Sequence, residues 1–171
     1  MAANLNLSWI TEHLAVGGRF PEEAVEGLAR DLRVRAVVDL RVEACDDPAL
    51  LARHGLDFLH LPTEDQCGVS RPMLETGVTF AGPRLARGEK VLVHCEHGIG
   101  RSAILALCLL VDAGLAPLDA LKLAKAGRSL VSPSPAQYEA WADWLRSRRQ
   151  APPDFHSFGC IAYSHLAAQP G

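Results

Sequence analysis

Short apolar runs alternate with segments of helical spacing along the chain. Residues 9–18, Trp-Ile-Thr-Glu-His-Leu-Ala-Val-Gly-Gly, read as a short edge strand ending in a turn at Gly17 and Gly18. Pro21 opens a helix over residues 22–30 whose first turn is acidic. Val34 to Leu40 is apolar and β-branched, the pattern of a buried strand. Residues 48–54 predict a short helix closed by Gly55, and Leu56 to Leu61 another strand, stopped by Pro62. A polar loop over 63–70 follows. Residues 71–87 have helical spacing but contain Gly77, Gly82 and Pro83, so a bent or broken helix is expected. Lys90 to His94 is the central strand, and the nearly all-apolar run 101–113 a buried helix stopped by Gly114. Residues 117–126 form a further helix closed by Gly127. Ser134-Pro135-Ala136-Gln137 is a capping box that starts a helix running to about Arg148.

Strands alternating with helices, then a run of helices, argue an α/β fold with a largely parallel sheet flanked by helices. After Gln150 the character changes. Pro152 and Pro153 open a tail with scattered aromatics, in which no periodicity is read. Residues 1–149 are therefore expected to be one folded domain, and 150–171 a tail that is packed or loosely ordered.

Composition narrows the class. A chain of 171 residues with 49% hydrophobic and 22% charged side chains has the makings of one folded domain. A net charge of -3 argues against nucleic acid as the main partner. Each apolar run is interrupted by Arg, Asp or Gly, so no membrane span is expected. Residues 1–9 lack the basic and apolar regions of a signal peptide. Five cysteines (45, 67, 95, 108, 160) without close-paired spacing suit a reducing cytoplasm and offer no zinc pattern. The expected molecule is a cytoplasmic monomer.

The chemistry concentrates in Val91-Leu92-Val93-His94-Cys95-Glu96-His97-Gly98-Ile99-Gly100-Arg101-Ser102. A strand delivers a thiol to a short loop, and a helix begins just beyond it. The N–H groups of the loop and of the helix start should converge on one point suited to a tetrahedral oxyanion. Such surroundings favour the thiolate of Cys95 over the thiol. Arg101 can offer two parallel N–H bonds to phosphate oxygens. Gly98 and Gly100 let the backbone turn its donors inward. Ser102 can hydrogen-bond the thiolate, although it can also merely cap the helix. His94 is a brace for the loop. Glu96, His97 and Ile99 complete the substrate-binding stretch and are candidates to tune selectivity.

The pattern His-Cys-x-x-Gly-x-x-Arg-Ser resembles the cysteine-dependent protein tyrosine phosphatases, and among them the small atypical dual-specificity phosphatases. The resemblance covers about residues 9–148 in element order. It implies a fold of that kind, no cofactor and no metal. It also implies thiolate attack on phosphorus, a cysteinyl-phosphate intermediate and its hydrolysis, with an acid to protonate the leaving oxygen. Asp65 stands at the family's Pro-x-x-Asp position, with Glu64 as fallback; an ordinary turn would also explain Asp65. Gln137 looks like the family's water-placing glutamine, although the capping box alone accounts for it. The strand-end Asp39-Leu40-Arg41 is similar to a family pattern, and Arg41 is read as structural. Cys45 or Cys67 is a candidate disulfide partner for Cys95.

The resemblance implies hydrolysis of phosphotyrosine and, as a further substrate, phosphoserine or phosphothreonine in proteins. The alternatives are a phosphoinositide, inositol phosphate or nucleotide substrate on the same fold, a non-catalytic phosphate-binding module, and a sulfurtransferase or arsenate reductase. The loop holds no Lys or Arg before Arg101, which weakens the polyanion reading. None of the expected catalytic groups is missing, which weakens the binding-module reading.

Overall fold

The computed structural model describes residues 4–167. Five strands form one sheet: β1 (Leu7–Trp9), β2 (Leu14–Gly17), β3 (Val34–Arg41), β4 (Asp57–Thr63) and β5 (Lys90–His94), in the spatial order β1-β2-β5-β3-β4. All pairings are parallel except β1 with β2. The last strand in sequence thus lies at the centre of the sheet, between β2 and β3. β5 is buried on both faces, which explains its unbroken apolar run.

Alternation along the strands feeds two cores. Leu92, Ala15, Val37 and Val34 pack with α1 (Val25–Arg30) and α2 (Pro48–Arg53) on one face. Val91, Val93, Val16 and Val38 pack on the other with α3 (Arg71–Ala86), α4 (Arg101–Asp112), α5 (Pro117–Gly127) and α6 (Pro135–Ser147). Val34 and Ala36 face opposite cores because the register shifts between them. α4 lies within this thicker layer, and all its residues from Arg101 to Val111 are buried.

Several expectations are corrected. The edge is not residues 9–18 as one strand but a hairpin, in which β1 takes the edge and shields β2. Residues 22–24 form a 3-10 turn ahead of α1. Pro62 does not stop its strand. It lies inside β4, where the outer edge of the sheet tolerates a missing N–H. α3 runs as one helix through Gly77, Gly82 and Pro83. Its Gly77 is a packing residue, since a Cβ there would come within 2.7 Å of Leu105 Cδ1 on α4.

The tail also contains structure. Asp154 caps α7 (Phe155–Ala162) by accepting from the Ser157 N–H, and α8 (Ser164–Ala167) follows. Phe158 is fully buried in the thicker core, against Trp141 and Tyr138. The aromatics that look scattered belong to α7 and its C-cap, Tyr163. Phe158→Ala should therefore cost about 3–5 kcal/mol in urea unfolding, as expected for a buried aromatic. Phe155→Ala, at a side chain 43% exposed, should cost about 1 kcal/mol or less.

Candidate active site

β5 delivers Cys95 to the C-terminal edge of the sheet, between the ends of β2 and β3. Open α/β sheets place their ligand sites at this edge. A loop that aims N–H groups at one point must turn its carbonyls outward, and each buried carbonyl then needs a donor. Every carbonyl from Cys95 to Gly100 has one. His94 Nδ1 lies 3.2 Å from Cys95 O, and the Arg19 N–H donates to Glu96 O at 3.0 Å. Arg128 donates to His97 O at 2.9 Å and to Gly98 O at 2.8 Å. The Ser132 and Ile104 N–H groups, each at 3.0 Å, take Ile99 O and Gly100 O.

Arg128 is buried at the end of α5 and also holds Asn6 Oδ1 at 2.7 Å and Ser8 Oγ at 3.1 Å. Burial pulls its pKa down, against the attraction of Cys95. Gly98 has φ +70°, and a Cβ there would sit 2.5 Å from the Gly17 carbonyl carbon, so only glycine fits.

The Cys95 thiol is buried inside this loop. Its Sγ accepts from the Gly98 N–H at 3.3 Å and lies 3.3 Å from Ser102 Oγ. Arg101 is buried too. Its Nη1 donates to Thr63 O at 2.8 Å, and Nη1 and Nη2 together clamp the Glu43 carboxylate at 2.7 and 2.8 Å. Nε has no partner. The end of the guanidinium is thus tied down while its Nε edge stays free for a bidentate oxyanion. The hydrogen bond from Arg101 lowers the Glu43 pKa to about 2. Burial would lower the Arg101 pKa, but Glu43 and Cys95 outweigh it and raise it.

Behind the loop lies a second charge cluster. Arg41 pairs with Asp39 at 3.0 Å, Asp46 at 3.2 Å and Glu96 at 3.3 Å, and His94 Nε2 lies 2.6 Å from Asp46. Burial raises the Asp39 pKa, but the bonds from Arg41 and the charge of His94 hold it below the usual value. Asp39, Asp46 and His94 are close enough to suggest a metal site, yet Arg41 already supplies the positive charge there.

A cavity of about 290 Å³ opens above the thiol. Cys95, His97, Ile99, Asp65 and Gln137 line it, joined by Tyr163 and Leu166 from the tail. The Asp65 side chain is 57% exposed, and its Oδ1 lies 3.7 Å from Arg101 Nη2. Its loop is tied to α6 by a bond from Ser134 Oγ to Gln66 O. Gln137 is buried and serves the capping box at the same time, its Oε1 accepting from the Ser134 N–H. The Glu96 carboxylate turns to Arg41 and Arg19, so any contact it makes with substrate falls to its main chain. Burial, then Asp39 and Asp46, push the Cys45 thiol up, and it lines a different hollow. Neither feature suits a redox partner of Cys95.

Comparison with known proteins gives the family. The family model "Dual specificity phosphatase, catalytic domain" matches residues 22–146. The chain belongs to the dual-specificity phosphatase family. Mouse (Mus musculus) "Phosphatidylglycerophosphatase and protein-tyrosine phosphatase 1" is 30% identical over 136 residues, spanning 75% of this chain and 70% of the relative. The crystal structure of Tk-PTP in the active form superposes with a TM-score of 0.74 at 26% identity, covering 82% of this chain and 97% of that one. Human DUSP28 shares the fold, with a TM-score of 0.74 at 21% identity over 86% and 97% of the two chains. As a dual-specificity phosphatase, the protein is a cysteine-dependent phosphatase. The matched segment contains Glu43, Asp65, the loop, Arg128 and Gln137, and it ends before α7.

Glu43 and Arg128 escape a reading of the sequence because their partners are distant along the chain. Arg128→Lys cannot reach both carbonyls and both N-terminal side chains. It should lower kcat/KM for p-nitrophenyl phosphate on the order of 100-fold while the fold persists by circular dichroism. Glu43→Gln should lower kcat/KM about tenfold by loosening Arg101. The depressed Glu43 pKa means that the ion pair is fully present above the ordinary carboxylate range and is lost only as pH falls through about 2. The Glu43→Gln deficit should therefore be the same at pH 5 and pH 7.

Proposed function

We propose that the protein hydrolyses phosphomonoesters in two steps, with phosphotyrosine in proteins as the main substrate and phosphoserine or phosphothreonine as further ones. The observation that carries this reading is the thiol of Cys95, buried at the centre of a loop whose outward carbonyls are all satisfied. Donors held this way need no reorganisation when charge develops on the phosphoryl oxygens.

In the first step the Cys95 thiolate attacks phosphorus. The S–P bond forms as the P–O bond to the leaving group breaks, and Asp65 gives that oxygen its proton. The free Nε edge of Arg101 and the loop N–H groups bind the transferring phosphoryl oxygens. In the second step water attacks the cysteinyl-phosphate. Asp65 takes the proton from water, Gln137 orients it, and the S–P bond breaks. Ser102 Oγ stabilises the departing thiolate from 3.3 Å.

The lining of the cavity favours a substrate with a single phosphate. Among the described residues that border it, none is Lys or Arg. A second anionic group would find no Lys or Arg partner among them. A lipid substrate is the second reading. It is favoured by the name of the mouse relative and by the likeness to PTPMT1, solved in complex with PI(5)P (TM-score 0.77, 24% identity, 83% and 96% of the two chains).

Side-by-side turnover separates the two. Phosphotyrosine peptide should exceed phosphatidylinositol phosphate in kcat/KM, and the reverse order would replace the first reading by the second. Cys95→Ser should abolish turnover of every ester. Asp65→Asn should slow phenyl phosphate on the order of 100-fold and p-nitrophenyl phosphate much less, because the better leaving group needs no proton. Equal slowing would remove Asp65 from the acid role.

A further inference from the structure

The matched family domain ends at residue 146, yet the cavity above Cys95 is not complete without the residues that follow. Tyr163 and Leu166 line it together with Ile99 of the phosphate loop. We infer that Tyr163 and Leu166 form an apolar wall that makes the site prefer phosphomonoesters with extended aromatic leaving groups.

The Tyr163 ring is held in place rather than merely nearby. Its hydroxyl donates to Pro133 O at 2.6 Å, so the polar end is occupied. Phe155 and Phe158 meet the ring nearly edge-on, with centroids 6.4 and 6.2 Å away. Lys125 Nζ lies 2.9 Å from Ala162 O and 3.0 Å from His165 Nδ1, just before and after Tyr163 in the chain. It also lies 2.6 Å from Ser129 O and 2.8 Å from Val131 O. The loop it grips there is the one whose Arg128 and Ser132 hold the phosphate-loop carbonyls. Wall and phosphate loop are therefore fastened to one support, which fixes their separation.

Leu166 follows one turn later, its N–H donating to Tyr163 O at 3.1 Å. It is 59% exposed, and it borders the cavity that holds the thiol. A phosphate seated on the loop directs its leaving group outward through this cavity. An aromatic group there gains by covering the Leu166 side chain and the Tyr163 ring. A short or strongly hydrated leaving group gains nothing from either.

This inference rests on the phosphatase reading, and one experiment tests the two separately. Phenyl phosphate and 4-biphenylyl phosphate have leaving groups of similar acidity, so the ratio of their kcat/KM values reports contacts to the outer ring. Leu166→Ala should lower that ratio about fivefold, through KM. Leu166→Phe should restore the ratio. Because Leu166 is largely exposed, both variants should unfold at the temperature of the unaltered protein. An unchanged ratio in Leu166→Ala, or equal losses on both esters, would overturn the wall and leave the phosphatase reading standing. Turnover of neither ester by the unaltered protein would overturn both.

Discussion

The structure depends on the pairing of six outward-facing carbonyls. A loop from Cys95 to Gly100 that collects its N–H groups around a thiolate cannot satisfy its own carbonyls, and unpaired buried carbonyls cost about 1–3 kcal/mol each. The flanks supply two donors, the His94 ring and the Ile104 N–H of α4, and the other four carbonyls are met from elsewhere: the end of β2 through Arg19, the end of α5 through Arg128, and the loop after it through Ser132. Each of these must be in register before the loop has a stable shape. The parallel pairing of β2 with β5, the closure of α5 and the seating of the N-terminal Asn6 and Ser8 are all coupled to that shape. An anion site built this way is rigid before substrate arrives, which is what electrostatic catalysis requires.

A second constraint operates on charge. Four of the carboxylates near the loop are divided by face between Arg41 and Arg101. Arg41 takes Asp39, Asp46 and Glu96 behind the loop, so these anions do not oppose phosphate. Glu43 approaches Arg101 from its end rather than its side, leaving the unpartnered Nε donor to the ligand. A carboxylate on the Nε edge would compete with phosphate. On the Nη pair it holds the guanidinium plane instead. The low pKa of Glu43 keeps this tie intact across the pH range in which a thiolate phosphatase works.

Local signals and distant ones were not equally legible in the sequence. The strand–loop–helix around Cys95 and the capping box at Ser134 are written in adjacent residues, and the chain folds there as their patterns require. Glycine and proline were the misleading letters. Gly77 reads as a helix breaker but exists to let α3 approach Leu105, and Pro62 reads as a stop but sits on an outer strand. β1 is only three residues long, too short to show a period. The hidden members of the site are those defined by partners far along the chain. Arg128 answers carbonyls 30 and 31 residues away, and Glu43 answers a guanidinium 58 residues away. No spacing rule reaches that far.

The tail shows how this bears on specificity. Phe155, Phe158 and Ala162 have helical spacing, but behind two prolines the segment is too brief for its period to stand out. What it packs against decides its importance. Phe158 fills the core beside Trp141, while Tyr163 reaches Pro133 and, with Leu166, borders the cavity. Cys95, Arg101, Asp65 and Gln137 all lie within residues 22–146, the segment that matches the family model. The exposed side chains of the tail, Leu166 among them, can change without disturbing the carbonyl pairing on which the chemistry depends. Placing part of the pocket wall on such a segment separates the choice of leaving group from the handling of phosphate. Substitutions in the tail can then alter which ester is preferred while the phosphoryl chemistry stays the same.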